Sequence, residues 1–147
     1  MKNLDKYNKQ LKNKIEKFSG SFMNNSKWTK LFKALTQHHV EIKKCFIKNI
    51  FDDVLREIKI PSSENYDEYF SETGVKDSIC TGGPLTFKEI EQLIFPNRWE
   101  IKREMRSQIL EPKKINQSIA AIKNIADLIG KFETEHDDEK LILYGYK

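Results

Sequence analysis

The chain predicts an α+β domain: a mainly antiparallel sheet packed by helices on one face, with an extra amphipathic helix at its N-terminal end. Apolar residues recur at helical spacing near both ends, while branched and aromatic residues crowd the middle. Residues 111–147 read as a helix, a glycine stop and a β-hairpin. At 147 residues the chain suffices for one domain with its own core, which we place at 23–147, behind an N-terminal helical extension at 1–22.

Leu4, Tyr7, Leu11, Ile15 and Phe18 repeat at three and four residues, so residues 3–18 predict an amphipathic helix with lysines on its other face. Ser19-Gly20-Ser21 ends it. A second helix starts near Ser26, a suitable cap, with Trp28, Leu31, Phe32 and Leu35 facing inward. Between Val40 and Ile60 two strands are expected, at 41–48 and 54–60, closed by Pro61-Ser62-Ser63. Residues 65–71 form a loop or short helix, 75–80 another strand, and Thr81-Gly82-Gly83-Pro84 a turn.

Residues 86–95 fit either a capped helix, from Thr86 and Glu89, or a strand ended by Pro96; strand is preferred. Residues 99–109 are amphipathic on either reading. The C-terminal helix then begins near Glu111, with Pro112 in its first turn and Ile115, Ile119, Ile122, Ala126 and Ile129 on one face. Gly130 suits the left-handed residue past its end. Strands at 132–135 and 140–146 follow, joined by His136-Asp137-Asp138-Glu139.

The formal net charge is +4, but its placement says more than its size. Residues 1–17 carry six lysines against Asp5 and Glu16, whereas residues 64–91 are mainly acidic, making the molecule bipolar. Lysine far outnumbers arginine, which occurs only at positions 56, 98, 103 and 106, and base readers favour arginine's planar fork. Two cysteines, Cys45 and Cys80, make no disulfide framework, and neither a signal peptide nor a membrane span is evident. A cytoplasmic protein with reduced thiols is expected.

Residues able to do chemistry are scattered. His38-His39 with Cys45 is the nearest approach to a metal set, yet adjacent histidines on an extended segment point apart. Cys80 before two glycines lacks a paired histidine base, and Gly82-Gly83 lacks the Lys-Ser or Lys-Thr of a phosphate loop. Glu-x-Lys triplets at Glu41-Ile42-Lys43, Glu57-Ile58-Lys59 and Glu100-Ile101-Lys102, with Asp52, Asp53 or Asp77, suit a metal-dependent nuclease. A chain this rich in glutamate and lysine also produces such triplets by chance. Trp28, Trp99, Tyr144 and Tyr146 read as core aromatics before interface anchors.

Three segments together resemble a family of small bacterial proteins catalogued as domain of unknown function 6678. They are residues 24–31 (Asn-Asn-Ser-Lys-Trp-Thr-Lys-Leu), Gly83-Pro84-Leu85 leading to Glu89-Ile90-Glu91 and Pro96, and Ile129-Gly130-Lys131-Phe132 through Tyr144-Gly145-Tyr146. The likeness spans about residues 23–147 and implies a strand at 88–95. It departs from the family pattern at Gln92, where the family carries tryptophan, and it implies no activity, cofactor or catalytic residue.

The expected function is that of a non-catalytic module that binds another protein, by analogy of the immunity or toxin-neutralising type, without cofactor or metal. Exposed acids Asp67, Glu68 and Glu72 are the candidate partner surface. Two alternatives stay open: nucleic-acid binding through the first helix with Lys102, Arg103 and Arg106, and the Glu-x-Lys nuclease.

Overall fold

The computed structural model describes residues 2–76, 84–105 and 108–147, with side chains for 5–76, 84–100 and 113–147. Its centre is a five-stranded antiparallel sheet in the order β2-β1-β5-β9-β8. The strands are β1 (Cys45–Asn49), β2 (Leu55–Ile58), β5 (Ile90–Pro96), β8 (Thr134–His136) and β9 (Lys140–Tyr144). Two ribbons stand apart from it: β3 (Gly74–Val75) with β4 (Leu85–Thr86), and β6 (Arg98–Met105) with β7 (Gln108–Asn116). The helices are α1 (Lys2–Glu16), α2 (Asn25–Gln37), the single-turn α3 (Tyr66–Tyr69) and α4 (Ile119–Ile129). The α+β class and the helix-then-strands ending are as expected.

Alternation along the strands sorts the sheet into two faces. Cys45, Ile47, Leu93, Phe95, Leu141 and Leu143 point to the side where α2 lays Trp28, Leu31, Phe32 and Leu35 and α4 lays Ile122, Ile125 and Ala126. These residues form one continuous buried core. Its aromatic centre stacks Phe32 with Phe70 at 4.8 Å and with Phe87 at 5.7 Å between ring centroids. A smaller cluster of Leu11, Ile50 and Tyr146, flanked by Tyr7, Ile15, Phe18 and Phe51, fastens α1 to the domain. The link is strengthened where Ser19 and Gly20 donate to the Lys147 carbonyl and Phe22 to that of Gly145.

Several expected boundaries move. Asn24, not Ser26, caps α2: its side chain accepts from the Lys27 N–H at 2.8 Å. The strand expected from Glu41 starts at Cys45, because Glu41 and Ile42 turn back onto the carbonyls of His38 and His39. The second strand is the shorter Leu55–Ile58, and Gly74–Val75 stands where 75–80 was expected. Residues 77–83, including Cys80 and the glycine turn, lie outside the described residues. The ambiguous segment resolves as a single 3-10 turn, Phe87–Glu89, followed by β5. The hairpin strands settle at 134–136 and 140–144.

The largest correction concerns residues 108–117. The C-terminal helix begins at Ile119 rather than near Glu111, and the segment that carries Pro112 and Ile115 is β7, paired with β6. Ser118 caps the helix by accepting from the Ala121 N–H at 3.1 Å. Ile115 matches the helical stripe in number only; in space it lies opposite Trp99. Gly130 is extended, at φ 168° and ψ −177°, so it is no left-handed stop.

Candidate docking face and the root of the arm

The sheet's outer side carries Phe46, Ile94 and Ile142 in register across β1, β5 and β9, with Leu55 at the β2 margin. A cleft of about 670 Å³ opens there, lined by Phe46, Leu55, Ile94 and Pro96 and rimmed by Arg98, Asp138, Glu139 and Lys140. Among the described residues, none from a helix lines it. Leu55, at one margin of the cleft, and its neighbour Val54 are 47% and 56% exposed, unusual for apolar side chains this close together.

Charged pairs frame the apolar strip. Lys44 reaches Glu57 at 3.1 Å and lies over the rings of both Phe46 and Trp99. Lys48 contacts Glu91 at 2.7 Å and Asp53 at 3.4 Å. The hydrogen bond that Lys48 donates to Glu91 holds its ammonium above its ordinary pKa, against some desolvation. At the far side Glu135 accepts from the Tyr144 hydroxyl at 3.0 Å and from Lys147 at 2.6 Å. The Lys147 bond, then the Tyr144 bond, keeps its carboxyl below the usual range.

The β6–β7 ribbon leaves the sheet beside this cleft as an arm, and its root is held by two polar side chains. Gln117 is 5% exposed, accepts from the N–H groups of Lys43 and Lys44 and donates to the carbonyls of Lys44 and Pro96, all within 3.1 Å. Asn97 donates its backbone N–H to Glu139 and its side chain to Asp138. Four segments thus meet at one knot: the β1 entry, the end of β5, the end of β7 and the β8–β9 turn. Asp137 shapes that turn by accepting from the N–H groups of Glu139 and Lys140. Neither Gln117 nor the arm was anticipated from sequence; the available signal was Ser118, a capping residue just before Ile119.

The acids singled out from sequence are exposed on α3 and the turn after it, so Asp67, Glu68 and Glu72 do face solvent. Asp67 and Glu72 border a smaller cleft of about 330 Å³ beside Lys33, Tyr66 and Lys76, separate from the outer sheet face. Lys76 donates to the Asp67 carbonyl and partly offsets their charge. Tyr144 and Tyr146 are buried, the latter's hydroxyl donating to the Lys88 carbonyl. Cys45 is buried in the core.

The nuclease triplets do not converge. Glu41 and Lys43 lie on the turn before β1, Glu57 is paired with Lys44, and Asp52 chelates Arg56 through both oxygens. His38 and His39 sit at the end of α2 rather than on a strand. Among the described residues no three of His, Cys, Asp or Glu come close enough to share a metal ion; Asp77 and the side chain of Lys102 lie outside them. Nor is any described helix long and apolar enough to cross a membrane.

Comparison with protein-family models, with curated proteins and with solved structures finds no match for this chain.

Proposed function

We infer that the chain is a non-catalytic protein-binding module whose partner docks on the outer face of the sheet, against the root of the β6–β7 arm. The observation that carries this reading is the apolar cleft of Phe46, Leu55, Ile94 and Pro96, edged by charges of both signs. Such a composition, an apolar centre within a polar rim, is that of protein interfaces rather than of a substrate pocket. The partner is another protein that presents an apolar side chain to the cleft. Asp67, Glu68 and Glu72 act at longer range, steering a basic partner before contact. An immunity or toxin-neutralising role in the cytoplasm fits this arrangement.

The likeness to the bacterial family of unknown function belongs to the same proposal. Its three segments meet in space: a Cβ placed on Gly145 would collide with the Ile90 carbonyl and come within 3.1 Å of the Trp28 ring. Those motif residues are therefore explained by packing, and the search for activity shifts to positions outside them.

The test is site-specific photo-crosslinking in the native cell, with the probe at Leu55 or at Leu128, which is 85% exposed on α4. Leu55 should give a discrete adduct containing a second protein, lost in Phe46→Glu, while Leu128 gives none. Equal labelling at both positions would defeat the proposal. Adducts of the chain with itself alone, together with a dimer in sedimentation, would reassign the face to self-association.

A further inference from the structure

We propose that α1 and the adjoining Phe51 ring form a binding surface for single-stranded nucleic acid, separate from the outer sheet face. The six lysines and two acids of residues 1–17 account for the whole formal charge of +4, so the remainder of the chain is balanced. Residues 18–63 carry an equal excess, but there Lys44 and Lys48 are paired with acids and the acidic stretch 64–91 offsets the sum.

The packing of α1 decides what this charge faces. Tyr7, Leu11 and Ile15 are spent against Ile50, Phe51 and Tyr146, which leaves Lys6, Lys9, Lys12 and Lys17 exposed on the remaining circumference. No ion pair among the described residues involves α1, whereas Lys44, Lys48, Lys123 and Lys147 in the body all pair with acids. The helix is about 22 Å long at 1.5 Å per residue, enough to follow several phosphates.

An aromatic surface adjoins the lysines. Gln10, Asn13, Lys14 and Lys17 line a cleft of about 340 Å³ with the half-buried Phe51, whose ring lies 6.2 Å from that of Tyr7. A ring flanked by lysines and amides combines base stacking with phosphate attraction, the two contributions on which single-strand binders rely. An anionic bilayer would satisfy the lysines alone. Membrane insertion of an amphipathic helix needs its apolar side, and that side is already buried in the domain.

The experiment titrates the full-length chain into a fluorescein-labelled single-stranded 20-mer of mixed sequence and follows anisotropy at several salt concentrations. The expected slope of log K against log salt is about −2 to −3, for three or four neutralised phosphates. Replacing Lys6, Lys9, Lys12 and Lys17 together by Gln should weaken binding at low salt by at least about tenfold and flatten the slope. The same four positions changed to Arg should restore both. Phe51→Leu keeps an apolar contact for Tyr7 and should erase any preference for the normal strand over an abasic one. An unchanged thermal midpoint in the Gln variant shows that the loss is not unfolding, and the Arg variant remains decisive if that midpoint falls. The proposal is overturned by salt-insensitive or absent binding, by equal affinity for the abasic strand, by a preference for duplex, or by binding to phosphatidylglycerol vesicles but not to the oligonucleotide.

Discussion

The two faces of the central sheet are built from the same strands and end in opposite conditions. Ile47, Leu93 and Leu143 are fully buried beneath α2 and α4, while Phe46 and the largely buried Ile94, one residue away on β1 and β5, line a cleft to which no helix contributes among the described residues. The inner face is aliphatic and aromatic without interruption. The outer face sets a narrow apolar strip between the Lys48–Glu91 and Lys44–Glu57 pairs and the Tyr144–Glu135–Lys147 group. One face holds the fold together; the other keeps apolar area in reserve, with charge on either side to limit nonspecific adhesion.

The largest effect that would break this contrast comes from matched aromatic truncations. Phe32→Ala on the inner face removes a ring with no exposed surface that stacks with Trp28, Phe70 and Phe87, and should cost about 3–5 kcal/mol in urea denaturation. Phe46→Ala should cost about 1–1.5 kcal/mol, since the ring is only half removed from water. Equal losses would mean that the outer strip is core, and the docking proposal would fall with it.

The next effect concerns the junction between the faces. Gln117→Leu conserves volume but leaves the N–H groups of Lys43 and Lys44 and the carbonyl of Pro96 without their side-chain partner. A destabilisation of about 1–3 kcal/mol is expected, with faster amide exchange at Lys43 and Lys44 than in the β1–β5 ladder. If exchange instead rises uniformly, the knot is simply part of the inner core and the arm has no separate attachment.

How much of this could be read in the sequence follows from the range of the forces involved. The stripes of α1 and α2, the cap at Ser118 in retrospect, and the β8–β9 hairpin are local, and all but the exact boundaries were legible. The helix expected from Glu111 was mistaken because Ile115, Ile119 and Ile122 satisfy helical spacing, whereas β7 is fixed by pairing with β6 and by a glutamine that bonds residues 73 and 74 positions earlier. No local pattern carries that information. The candidate site was less legible still: Phe46, Leu55 and Ile94 come together only through strand order, and alternation within one strand does not disclose which face a helix will cover. The acidic positions 67, 68 and 72 were visible because exposure of charge needs no tertiary context.

The smallest effect tests whether the outer face contributes to stability at all. Lys48 is raised above its ordinary value of 10.5, chiefly by the hydrogen bond it donates to Glu91, so the folded state holds that proton more tightly than the unfolded chain. The resulting stabilisation is fully present below pH 10.5 and is lost as pH rises through the folded value. Side chains of Lys48 and Glu91 are 22% and 12% exposed, so solvent screening is partial, and the pair is worth about 1 kcal/mol or less. Glu91→Gln should therefore lower stability slightly at neutral pH and make the unfolding free energy less sensitive to alkali above pH 10.5. A variant that tracks the wild-type profile across that interval would assign the alkaline loss to other groups. The outer face would then rest on its apolar strip alone, and its flanking charges would have recognition as their one remaining use.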